Sequence, residues 1–155
     1  MAGELWKSKW HAKTLEAIAK SEGRDFYEGE LADKIDDFLK KYQGKLKKKD
    51  LEQYKVRWET PVSVSYRGYD VWEIPPNGQG MIALQALAII QGMELKPVEN
   101  EETVHQIIEA LKLAFVDGKA HIADPDHMER SVGDMLSEEY IQSRRKLIVW
   151  DLDRE

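Results

Sequence analysis

The sequence predicts an α+β fold, predominantly helical with one β-hairpin. Three observations predict it. Apolar residues recur at helical spacing over most of the chain. Residues 62–74 alternate as a pair of strands and reverse at Arg67-Gly68. Directly after them, residues 81–90 carry one polar side chain, Gln85, which is the composition of a helix buried on every side.

Residues 4–20 read as the first helix, with Leu5, Trp6, Trp10, Ala17 and Ile18 marking an apolar side. Gly23 is a plausible stop, and residues 24–29 read as a connector with two aromatics, Phe26 and Tyr27. Residues 30–42 form the cleanest amphipathic pattern. Leu31, Ile35, Phe38, Leu39 and Tyr42 share one face, and Gly44 ends the element. The basic run 45–49 reads as a solvated loop, because no aromatics interleave it. Asp50 is expected to cap a short helix through Tyr54.

Val62, Val64 and Tyr66 alternate with Ser63 and Ser65. Residues 69–74 return after the turn, and Pro75-Pro76 stops the ladder because proline has no N–H to donate. Asn77-Gly78-Gln79-Gly80 launches the buried helix. Residues 101–121 predict a long helix with a buried stripe of Val104, Ile107, Ile108, Leu111, Ala114 and Phe115. Asp124-Pro125-Asp126 breaks it, since proline disfavours a helical predecessor. A last helix runs from Ser137 to about Ile148, and residues 149–155 form a charged tail expected to fray. Trp6, Trp10, Trp58 and Trp72 are assigned to the core.

A chain of 155 residues is expected to form a single domain, residues 1–155, with a sizeable core. Its net charge of −6 argues against nucleic acid as a partner, which requires a basic surface. The buried helix, at about ten residues, is too short to span a membrane, which takes roughly twenty. The absence of cysteine excludes disulfides and thiol chemistry. No signal-peptide pattern opens the sequence, which favours the cytoplasm.

Each cluster that suggests chemistry has a plainer reading. His121, Asp124, Asp126 and His127 include metal-ligand types, yet the Asp-Pro-Asp sequence fits a capped turn better. Gly78-Gln79-Gly80 lacks the Lys-Ser/Thr of a phosphate loop and reads as close packing. The glutamate pairs 101–102 and 138–139 sit at helix starts and complement the dipole. On residues alone the chain has no catalytic, cofactor-binding or metal-binding residue to name.

Several stretches, in order, carry a family resemblance. They include Arg24-Asp25-Phe26-Tyr27-Glu28-Gly29, Tyr66-Arg67-Gly68-Tyr69 and Pro75-Pro76-Asn77-Gly78-Gln79-Gly80. His105 with residues 109–115, then Asp124-Pro125, then Ser137-Glu138-Glu139-Tyr140 through Arg144-Arg145, continue it. The set resembles the gamma-glutamyltranspeptidase family. The Pro-Pro-Asn-Gly-Gln-Gly turn is closer to its acylase-like branch, since the commoner version has serines and paired glycines there.

The resemblance implies a proenzyme that cuts itself into a large and a small subunit, with the αββα layers of N-terminal nucleophile hydrolases. It implies a threonine at the start of the small subunit that attacks a γ-glutamyl amide, such as that of glutathione, and passes the acyl group to water or an amine. On this resemblance the chain looks like the C-terminal half of the large subunit only. Thr14, Thr60 and Thr103 lie outside any family-like nucleophile segment, and none of Arg24, Arg57, Arg67, Arg130, Arg144 or Arg145 matches the substrate-gripping arginine. The expected partners are therefore the missing segments of the same proenzyme, with self-association of the piece into a homo-oligomer. The expected role is structural scaffold, the rival being a stand-alone interaction module.

Overall fold

A computed structural model describes residues 3–97 and 100–148. The tail expected to fray, 149–155, lies outside the described residues. The chain divides into two compact units, Met1–Arg57 and Trp58–Glu155.

The first unit is helical. Helix α1 spans Lys9–Lys20. It starts five residues later than the sequence pattern suggests, because the Ser8 side chain accepts the His11 N–H and fixes the N-terminus there. No α1 residue is buried, and Trp6 and Trp10 are both 77% exposed. Their aromatic character therefore signals no core. The expected connector contains a one-turn helix, α2 (Arg24–Tyr27), nucleated by the Ser21 hydroxyl accepting the Asp25 N–H at 3.0 Å.

Helix α3 (Glu30–Lys41) begins where the Asp25 carboxylate accepts the Glu30 N–H at 2.9 Å. Its buried positions are Ala32 and Asp36, with Leu31, Ile35 and Leu39 half-buried beside them. Phe38 and Tyr42, expected inside, are exposed and pack on each other at 4.7 Å. The Lys40 ammonium, 2.5 Å from Asp36, holds that carboxyl below its usual range. Helix α4 (Lys48–Gln53) starts one residue after Lys47. Asp50 sits inside it and accepts the Lys47 N–H from the third position, so it is one half of a capping box and not the cap itself. Lys48 of the basic run pairs with Asp33 at 2.7 Å, tying α4 to α3. Tyr27 and Tyr54 stack at 5.8 Å with planes 8° apart.

The second unit is built around α5. Strands β1 (Val62–Tyr66) and β2 (Tyr69–Glu73) pair antiparallel, with Val62 opposite Glu73 and Tyr66 opposite Tyr69. Arg67 and Gly68 both take positive φ, 51° and 87°, as a two-residue hairpin turn requires. One hairpin face sets Val62, Val64 and Val71 onto Met81 and Leu84 of α5 (Gly80–Gln91). Ser63 and Trp72 pair on the other face, Trp72 is 59% exposed, and Trp58 is fully exposed. The core assignment of these tryptophans is thus corrected with that of Trp6 and Trp10. Trp6 meets the His11 ring and Trp10 lies under the Lys13 ammonium, and both stay largely exposed.

Helix α5 is buried at Met81, Ile82, Leu84, Gln85, Ala86, Ile89 and Ile90, as its composition demanded. Helix α6 (Glu101–His121) starts at Asn100, whose side chain accepts the Glu102 N–H. Its buried residues are small or polar: Thr103, Gln106, Ala110, Ala114, Asp117 and Gly118. A Cβ on Gly118 would lie 2.6 Å from the Ile82 side chain, so the two helices approach at a distance only glycine permits. The expected buried stripe is therefore corrected. Of its six members only Ala114 is buried, Ile107 is half-buried, and Val104, Ile108, Leu111 and Phe115 face outward. A 3₁₀ turn (Pro125–His127), the short helix α7 (Val132–Met135) and α8 (Glu138–Arg145) close the other side. Met135 and Ile141 deliver one buried side chain from each of these last two helices.

Candidate functional site

Ionisable chemistry gathers where α5, α6 and α8 meet. Gln85 is the lone polar residue of an apolar helix, and its Nε2 donates to Asp117 Oδ2 at 2.7 Å. Asp117 is 1% exposed. Arg144 reaches it from α8 through two bonds, Nε to Oδ2 at 2.9 Å and a terminal nitrogen to Oδ1 at 2.6 Å. Such a two-pronged contact matches the planar guanidinium to the carboxylate. Arg144 also donates to the Tyr140 hydroxyl at 2.7 Å, one turn back on α8. Burial opposes the charge on Arg144, but the Tyr140 hydroxyl and the Asp117 carboxylate outweigh it and hold its pKa above the ordinary value. Arg130 lies over the Tyr140 ring at 4.7 Å.

Three donors engage the two oxygens of Asp117. Protein donors occupy both oxygens, and the network ties α5, α6 and α8 together. The Gln85 Oε1 is buried without a protein partner.

Arg145 supplies a second tie. Its guanidinium donates to the carbonyls of Ile89 at 2.9 Å and Ala88 at 3.0 Å, which belong to the last turn of α5. A cation on those carbonyls satisfies acceptors that the helix end leaves open. The guanidinium lies across Gly92, where a Cβ would fall 2.2 Å from it, which is why glycine stands there.

The other predicted sites resolve plainly. Asp124 accepts the Asp126 N–H at 3.1 Å, which is the capped turn. His127 Nδ1 lies 3.8 Å from Asp124 Oδ2, and no group of three His, Cys, Asp or Glu able to hold a metal occurs among the described residues. Gly80 packs against the Glu73 side chain, where a Cβ would meet it at 2.5 Å. Thr14 donates to the Trp10 carbonyl one turn back in α1, and Thr103 donates to the Lys96 carbonyl in the loop before α6. The arginines are dispersed: Arg24 donates to Ser21, Arg67 lies over Tyr66 in the hairpin turn, and Arg144 and Arg145 serve the two ties above. No helix among the described residues is long and apolar enough to cross a membrane.

Sequence reasoning overlooked the ties because their members are 27 to 57 positions apart. One signal was present. A single glutamine in an otherwise apolar helix needs a buried partner.

A buried helix wrapped by a hairpin on one side and by α6 and α8 on the others is shared with N-terminal nucleophile hydrolases of known structure. The chain covers 96% of its own length, and 28% of the other, in cephalosporin acylase from Bacillus halodurans, at 51% identity and a TM-score of 0.78. With Helicobacter pylori gamma-glutamyltranspeptidase the match covers 95% of this chain and 43% of the other, at 30% identity and a TM-score of 0.72. The chain belongs to the gamma-glutamyltranspeptidase family, whose model matches residues 1–153. The glutathione hydrolase proenzyme of Pseudomonas sp. (strain A14) is 34% identical over 149 residues, 94% of this chain and 26% of that relative. The chain thus spans about a quarter of the length of the curated relative it matches.

Proposed function

We propose that this chain is the structural part of a gamma-glutamyltranspeptidase-like proenzyme that transfers or hydrolyses γ-glutamyl groups. The threonine nucleophile belongs to another segment of that proenzyme. The observation that carries this reading is the match over residues 1–153 set against the quarter of the relative's length that it spans. The chemistry inside the second unit supports it, since the Asp117–Arg144–Gln85 contacts bind helices to one another and leave no engaged group for a substrate. A stand-alone interaction module is the second reading, favoured by the apolar side chains on the outer face of α6.

Grafting separates the two. This chain replaces the matching segment of the Bacillus halodurans acylase, to which it is 51% identical. On the first reading the graft folds and keeps that enzyme's acylase activity to within about tenfold, a barrier change of about 1.4 kcal/mol. A folded, soluble graft without activity contradicts it.

A further inference from the structure

Helix α6 packs Ile107 and Leu113 on the core of its own unit but turns its other large apolar side chains away from it. Val104, Ile108, Leu111 and Phe115 follow one another at i, i+4, i+7 and i+11, and they are 43, 49, 37 and 42% exposed. Val116 beside them is 62% exposed. With Lys112 and Lys119 at the rim, most of these side chains line a shallow groove of about 380 Å³. The fully buried residues of the same helix are alanine, glycine and polar, with Gly118 closely approached by Ile82 of α5. A surface helix ordinarily distributes its residues the other way round. A contiguous apolar stripe of this kind marks a contact.

The size of the stripe selects the occupant. Two separate molecules must recover the entropy of association, and standard interfaces use roughly 20–30 residues a side to do so. Five side chains fall well short of that. A segment of the same polypeptide is held at high effective concentration and needs far less contact.

We propose that this stripe is the seat of an apolar segment of the same proenzyme lying outside residues 1–155. The inference rests on the proposed function above, in which about three-quarters of the polypeptide lies elsewhere, the chain covering 26% of its Pseudomonas relative. The segment presents aliphatic or aromatic side chains to Ile108, Leu111 and Phe115. An acidic residue at its border suits the ammonium group of Lys119, Lys112 being paired with Glu109 at 2.5 Å.

The chain has no cysteine, so single thiols report on the stripe without background. Phe115→Cys and Leu111→Cys are made separately, each in the isolated 155-residue chain and in the acylase graft, and labelled with a water-soluble thiol reagent. In the isolated chain both are expected to react near the rate measured in denaturant, at every protein concentration. In the graft both are expected to react at least about tenfold more slowly, because labelling must await local opening. An active graft that labels as fast as the isolated chain overturns the seat and leaves the proposed function standing. Protection in the isolated chain that grows with concentration gives the stripe to a second copy, and protection independent of concentration means that the chain covers it alone. Either result overturns the proposal. A graft that neither folds nor acts removes the proposed function and this inference with it.

Discussion

Arg144→Ala is expected to destabilise the second unit by about 3–5 kcal/mol, since removing one member of a buried ion pair strands the other. The stranded group is Asp117, 1% exposed, which would lose two of its three donors and keep only Gln85. Arg144 is itself partly reached by solvent, with 27% of its side chain exposed. Water entering the vacated space moves the effect toward the lower end of the range. The pair is not predicted to be stabilising in an absolute sense. Desolvating both charges costs nearly as much as their attraction returns, so Asp117→Leu with Arg144→Ala should be less damaging than Arg144→Ala alone. Urea unfolding of the two single variants and the double variant measures this. A loss below about 0.5 kcal/mol in Arg144→Ala, the range of ordinary surface substitutions, would show that the network does not bind α8 to α5 and α6.

Leu84→Ala is expected to cost about 2–5 kcal/mol, the range for deleting a fully buried leucine. Leu84 has no exposed surface and packs with Met81 and Met135 beneath Val62, Val64 and Val71 of the hairpin. A two-stranded hairpin is marginal without a face to rest on, so the loss should appear first as fraying of β1 and β2. The informative control is Leu111→Ala. Leu111 sits in a sequence pattern that looks equally buried, yet it is 37% exposed on α6. Its replacement should cost under about 1 kcal/mol, because little apolar surface returns to water. Equal losses at the two leucines would contradict the assignment of faces.

That contrast shows where the sequence was legible. Helix α5 was readable because ten nearly unbroken apolar residues admit one environment, and the hairpin because alternation and Arg67-Gly68 agree. Both bounds of α6 were readable too, from Glu101 and Glu102 at its start and the Asp-Pro break after it. Its orientation was not. Periodicity finds the large apolar residues, and in α6 four of these, Val104, Ile108, Leu111 and Phe115, lie away from the core while Ile107 packs on it. The true contact consists of Ala110, Ala114 and Gly118, four residues apart each time, where small size permits close approach. The same bias misplaced the tryptophans and Phe38, since an aromatic residue in a piece of a larger fold can await a neighbour outside that piece. The ties through Arg144 and Arg145 were hidden for a different reason: hydrogen-bond partners across 27 to 57 positions leave no periodic trace.

We propose a scaffold whose chemistry is supplied elsewhere in the proenzyme. Release of the chromophore from a γ-glutamyl anilide by the isolated chain tests it most directly. The account predicts the buffer rate at all protein concentrations. Turnover that scales with the chain and is abolished by a threonine-directed reagent would contradict it, because it would place the nucleophile at Thr14, Thr60 or Thr103.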